Sequence, residues 1–199
     1  FENLLAEQNP ETQESARKST GSYYTPREIV DYMVEQSLAE YIKSNLTLSK
    51  AEEEAVEEFI HTEEYPDSLK QHTAQIAAKL NTVKVLDPAC GSGAFPIGML
   101  QKLMALKLQL APMGKGGAVK GIYDLKLQTI LNSIYGCDIQ PMAVELSRLR
   151  CWLSLIIDEE VDKKKTNWGI ANLPNLDFKF VCVNTLIGLP VMVEDTLGT

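Results

Sequence analysis

An α/β chain, with about three parallel strands forming an incomplete sheet behind an N-terminal helical extension, is the fold class the sequence predicts. Two observations predict it. Short apolar, β-rich runs alternate with helical patterns along the second half of the chain, and the first of those runs passes straight into Asp87-Pro88-Ala89-Cys90-Gly91-Ser92-Gly93 before a long apolar helix. Strands separated by helices join most economically as a parallel sheet with right-handed crossovers.

The elements follow in order. Residues 1–20 read as a polar lead-in with one helical turn around Phe1 to Ala6. Ile29, Val30, Met33, Val34, Ser37, Leu38 and Tyr41 recur at three- and four-residue steps. That spacing makes an amphipathic helix, with Thr25 as N-cap and Pro26 at the first helical position. Residues 46–80 hold one or two further helices, broken near Tyr65-Pro66-Asp67. A strand spans Val83 to Leu86, and Phe95 to Leu110 is the long helix after the glycine turn. Pro112 to Gly121 is a Gly-rich loop. A helix near Leu125 to Leu131 leads to a strand from Ser133 to Cys137 that ends at Asp138. A strongly apolar helix runs from Pro141 to about Ile157, and after a polar loop Phe178 to Val183 is the last strand. Two units result: a helical region, 1–80, and the start of the sheet domain, 81–199.

Composition sets the limits. The 199 residues are 45% hydrophobic and 23% charged, with a net charge of −8, which suits a globular chain with a real core. Eight acids and no Lys or Arg lie in 51–67, leaving 19 basic and 19 acidic residues elsewhere. The simplest reading of that block is a solvated helix face above Ala55, Val56, Phe59 and Ile60. Lys163-Lys164-Lys165 forms the one basic cluster, too small to grip a nucleic acid by itself. Cys90, Cys137, Cys151 and Cys182 include no C-x-x-C pair, and His61 and His72 are the sole histidines, so free thiols are expected and no metal site. The chain lacks a membrane-length apolar run and a signal-peptide layout, giving a cytoplasmic, membrane-free expectation. With no initiator Met, and an end close behind the apolar stretch from Val181 to Val193, it is expected to be a piece of something longer.

The strand–glycine turn–helix unit is a cradle for a small molecule, because glycines let the backbone turn sharply and approach a ligand. A dinucleotide fingerprint would need a small residue where Pro96 stands, and no G-K-[ST] is present for a triphosphate. Asp87 at the strand end repels a bare phosphate. Asp138 at the end of the next strand suits a ribose diol. Together they suggest a nucleoside carrying positive charge.

Four ordered segments carry a family resemblance. Asp87 to Phe95 resembles the first motif of N6-adenine-specific DNA methyltransferases, which bind S-adenosylmethionine in a Rossmann-like sheet. Gly21-Ser22-Tyr23-Tyr24-Thr25-Pro26 resembles their preceding G-x-x-Y-T-P element. Ile134 to Pro141 is similar to the second motif, and Val183-Asn184-Thr185-Leu186 to the third, with Val183 where glycine is common. The order matches restriction-modification enzymes, and the extended matches Arg17 to Leu38 and Ile134 to Leu155 resemble the type IIG style more than a type I modification subunit.

The resemblance implies that Tyr24, Thr25 and Pro26 meet the methionine end of the cofactor, Pro26 starting a helix whose N-terminus favours its carboxylate. Asp87, Ala89, Gly91 and Gly93 would form the cradle, with Asp87 near the positive charge. Asp138 would hold the ribose hydroxyls, Ile139 the adenine face and Asn184 the adenine edge, although Asn184 could instead simply close a turn. No catalytic residue is assigned. The N-P-P-Y type motif that holds the flipped adenine is absent, and Asn172-Leu173-Pro174-Asn175 is no substitute. The chain alone is therefore expected to be inactive, double-stranded DNA being bound by other parts of a longer enzyme. The cut sheet's open edge makes self-association an expectation. The rival readings are a non-catalytic interaction module acting through 51–67 and, weakest, an NAD-binding domain.

Overall fold

The computed structural model of the chain describes residues 25–111, 121–158, 164, 166 and 172–187. Helix α1 (Arg27–Asn45) starts one residue later than the sequence predicts. Pro26 is itself the N-cap, with φ −54° and ψ 149°, and no side chain caps the helix, so Thr25 does not have that role. The fixed φ of proline serves an extended residue as well as a helical one, and here ψ decides. Its carbonyl accepts the N–H groups of Ile29 and Val30.

Helix α2 (Lys50–Thr62) carries the acidic block. Glu52 Oε2 accepts from both the N–H and the hydroxyl of Ser49, which fixes the first turn. Ala55, Val56, Phe59 and Ile60 are buried beneath the acids, as the helical spacing predicts. The break near Pro66 becomes a 3-10 helix (Asp67–His72) that leads directly into α3 (Thr73–Thr82).

Three parallel strands follow: β1 (Val85–Asp87), β2 (Ile134–Asp138) and β3 (Phe180–Cys182), in the order β1-β2-β3. Asp87 pairs in register with Gly136, Gly136 with Phe180, and Asp138 with Cys182. Helices α4 (Ala94–Leu110) and α5 (Ile122–Ser133) connect the first two strands, and α6 (Pro141–Ile156) follows the second. This is a Rossmann-like sheet fragment with helices packed on it.

Helix α4 occupies the middle of the molecule. It touches α1, α3, α5, α6, β1 and β2, and it buries Met99, Leu100, Leu103 and Leu106 almost completely. A helix that is apolar nearly all round must be covered on several sides. Gly98 allows one of those contacts, since a Cβ there would lie 2.7 Å from Val30 Cγ1 of α1. One core cluster therefore runs from Val30 and Phe59 through Leu103 to Phe180.

Arg148 of α6 fastens the entry to β3. Its guanidinium donates to the carbonyls of Phe180 and Asp177 and pairs with Glu145 and Asp177. Trp152 is half-buried against the core, and its Nε1–H donates to the Pro174 carbonyl at 3.0 Å. All four cysteines are free thiols. Phe1 to Ala6, Tyr24, the Pro112 to Lys120 part of the loop, Lys163, Lys165 and Trp168 lie outside the described residues. Among the described residues no helix is long and apolar enough to cross a membrane.

Candidate functional site

The carboxyl ends of three parallel strands open on one side of the sheet, and the loops that leave them build the site. After β1 the chain turns through Pro88 to Gly93. Cys90 N–H donates to the Cys137 carbonyl at 2.8 Å and Gly93 N–H to the Cys90 carbonyl at 2.8 Å, which folds the turn back over β2. Gly91 and Gly93 have φ of 53° and 88°, a left-handed region that side chains with a Cβ enter at a cost. Among the described residues, a Cβ on Gly91 would meet nothing within 4 Å, so they leave open space above that residue. Below the turn is Ser147 of α6, fully buried, whose hydroxyl donates to the Gly91 carbonyl at 3.0 Å. A Cβ on Gly93 would lie 2.8 Å from that same hydroxyl oxygen.

Two carboxylates flank the turn. Asp138 Oδ2 accepts the Gly91 N–H at 2.8 Å, and its Oδ1 accepts the Gln140 N–H at 2.8 Å. Asp87 Oδ1 accepts the Ala89 N–H at 3.0 Å. Among the described residues, no Lys, Arg or His forms an ion pair with either group. Burial pushes the Asp87 carboxyl above its usual range, the negative charge of Asp138 adds to the rise, and the Ala89 N–H opposes it. Burial likewise pushes the Cys90 thiol up to about 11, which makes it an inert packing group under the turn.

The third wall is the loop after β3. Val183 N–H donates to the Asp138 main-chain carbonyl at 2.9 Å. Asn184 closes a turn: its Oδ1 accepts the Leu186 N–H at 3.0 Å and its carbonyl accepts the Ile187 N–H at 3.2 Å. Thr185 then reaches across to donate its hydroxyl proton to the Pro88 carbonyl at 3.0 Å. Apolar side chains stand exposed on these loops, with Ile139 58% and Leu186 93% accessible.

The structure thus brings Asp87, Ala89, Gly91, Gly93, Asp138, Ile139 and Asn184 to one end of the sheet. Thr25 and Pro26 stand at the start of α1, and Tyr24 lies outside the described residues. Sequence reasoning missed Ser147 and Thr185. The first looks like any small residue on an apolar helix; the second lay inside a recognised motif, and its hydroxyl beside Asn184 was the available signal.

The profile of the MmeI DNA-methyltransferase domain matches residues 62–186. The chain belongs to that family. It is 32% identical over 183 residues to a protein of Methanocaldococcus jannaschii named as a type II restriction enzyme and methyltransferase, an alignment covering 88% of this chain and 15% of that protein. It is also 34% identical over 68 residues to the adenine-specific methyltransferase PglX of Streptomyces coelicolor, covering 34% of this chain and 5% of PglX. The chain therefore spans a small part of the length of either relative. The family match includes β1, β2, β3 and their three loops, and leaves α1 and most of α2 outside it.

Proposed function

We propose that the chain is the S-adenosylmethionine-binding part of a DNA methyltransferase in a type II restriction-modification enzyme, acting on the N6 amine of adenine. The observation that carries this reading is the pair of carboxylates at the ends of neighbouring parallel strands, unpaired with any base among the described residues, on either side of a glycine turn with open space above Gly91. Two acids with no cation between them among the described residues favour a ligand that brings its own positive charge.

The residues present fit such a ligand. Asp138 uses one lone pair on each oxygen for Gly91 and Gln140, which leaves two acceptor positions for the hydroxyls of a ribose. Asp87 and Ala89 would lie along the charged methionine chain, and Gly91 and Gly93 would allow its close approach. Ile139, exposed beside Asp138, offers an apolar face to the adenine ring. The amide NH2 of Asn184 would donate to the adenine edge while its oxygen holds the turn. Tyr24, Thr25 and Pro26 would meet the methionine end. When bound, the cofactor supplies an activated methyl group, so the protein's task is to align donor and acceptor.

None of the 199 residues forms an N-P-P-Y type motif, so the group that holds a flipped adenine would come from the remainder of a longer protein, as would the grip on duplex DNA. The M. jannaschii relative supports the type II setting, and PglX supports adenine as target. The test is methyl transfer from labelled S-adenosylmethionine to duplex DNA by the full-length protein, followed by digestion to nucleosides. Label in N6-methyl-2′-deoxyadenosine is expected; label in a methylated deoxycytidine, or none, would overturn the assignment.

A further inference from the structure

Three loops at the end of the sheet are joined into a closed circuit of hydrogen bonds. Gly91 N–H binds the Asp138 carboxylate, the Asp138 carbonyl receives the Val183 N–H, and two residues later Thr185 returns to the Pro88 carbonyl. The last link is the one that spans from the β3 loop to the β1 turn, between residues 97 positions apart. It also lands on a particular peptide group. The Pro88–Ala89 unit accepts the Thr185 hydroxyl at its C=O and donates its N–H to Asp87 Oδ1, so it is gripped at both ends and in turn orients the Asp87 carboxylate. Hydrogen bonds through one peptide unit polarise each other.

We propose that Thr185 is a positioning residue: its hydroxyl fixes the Pro88–Ala89 peptide, holds Asp87 in line with the glycine turn and thereby sets the affinity for the cofactor. The inference rests on the cofactor reading above and adds to it a residue that would touch the cofactor only through its neighbours. Thr185 is exposed, so removing its hydroxyl empties no core space. Its contribution is preorganisation, because a turn held before binding need not be ordered by the ligand.

The experiment compares wild type, Thr185→Val and Thr185→Ser in the full chain, measuring S-adenosylmethionine affinity by calorimetry and the thermal midpoint of each. Val keeps the shape and loses the donor; Ser keeps the donor. The expected result is affinity about fivefold weaker in Thr185→Val, from the loss of one hydrogen bond, restored in Thr185→Ser, with midpoints unchanged. Equal affinity in wild type and Thr185→Val would overturn the positioning role and leave the cofactor reading standing. A weaker Thr185→Val whose midpoint falls in step, with no recovery in Thr185→Ser, would overturn it as well, by showing a purely structural contact. Absence of binding by wild type would overturn the cofactor reading, and this inference with it.

Discussion

At the helical end of the molecule several acids are met by bases or hydrogen-bond donors of the protein, whereas at the strand ends Asp87 and Asp138 pair with no base among the described residues. Between α1, α2 and α4, Lys102 lies 3.1 Å from Glu35 and 2.8 Å from Glu63, and His61 pairs with Glu35. Glu52 receives Ser49, Gln71 and His72. Glu35, Glu52 and Glu63 thus each have a partner within the protein. At the strand ends Asp87 and Asp138 repel each other, glycines hold left-handed angles, and Ile139, Met142 and Leu186 face solvent. Local rules are kept in one region and broken in the other, and such breaks concentrate where a ligand compensates them.

Asp138→Ala should have the largest effect. It removes the acceptor for the Gly91 and Gln140 N–H groups and, on the proposed reading, for the ribose hydroxyls. Cofactor affinity should fall by about 1–3 kcal/mol, about fivefold to 150-fold, measured by calorimetry. Unchanged affinity would remove Asp138 from the site.

Glu52→Gln should have a smaller effect, confined to stability. Hydrogen bonds from the Ser49 backbone and side chain, then from Gln71, hold Glu52 down to about 2, from an ordinary 4.5. Its contribution is therefore present above pH 4.5 and is lost as pH falls from 4.5 through about 2. The His72 imidazole is raised above 6.5 by its Gln75 hydrogen bond and by Glu52, so its contribution is complete below pH 6.5 and is lost as pH rises through the raised value. The thermal midpoint of wild type should be highest between those limits and decline on both sides. In Glu52→Gln the acid-side decline should be shallower, with cofactor affinity unchanged; a loss of affinity would mean that the two regions are coupled.

How much of this could be read beforehand depends on the range of the interaction. Strand β2 and Asp138 were legible because a helix, an apolar run and an acid follow one another without interruption. The buried face of α2 was legible from its spacing. The N-cap of α1 was misread by one residue, because proline suits both positions and only ψ separates them. Asn184 admits two readings in the sequence, an adenine contact and a turn, and the structure shows the turn. Contacts between distant segments were not legible: nothing local marks Ser147 as the support beneath Gly91, Gly98 as the place where α1 meets α4, or Thr185 as the partner of Pro88.

On the proposed reading the paired carboxylates select a nucleoside with a cationic tail. That selection is tested most directly by comparing the affinity of wild type and Asp87→Asn for S-adenosylmethionine and for methylthioadenosine, which keeps the base and ribose and lacks the charged chain. Wild type should prefer S-adenosylmethionine by about tenfold or more, the scale of one charge-assisted contact, and Asp87→Asn should remove most of that preference. Equal affinity of wild type for the two ligands, or a preference that survives Asp87→Asn, would contradict the account.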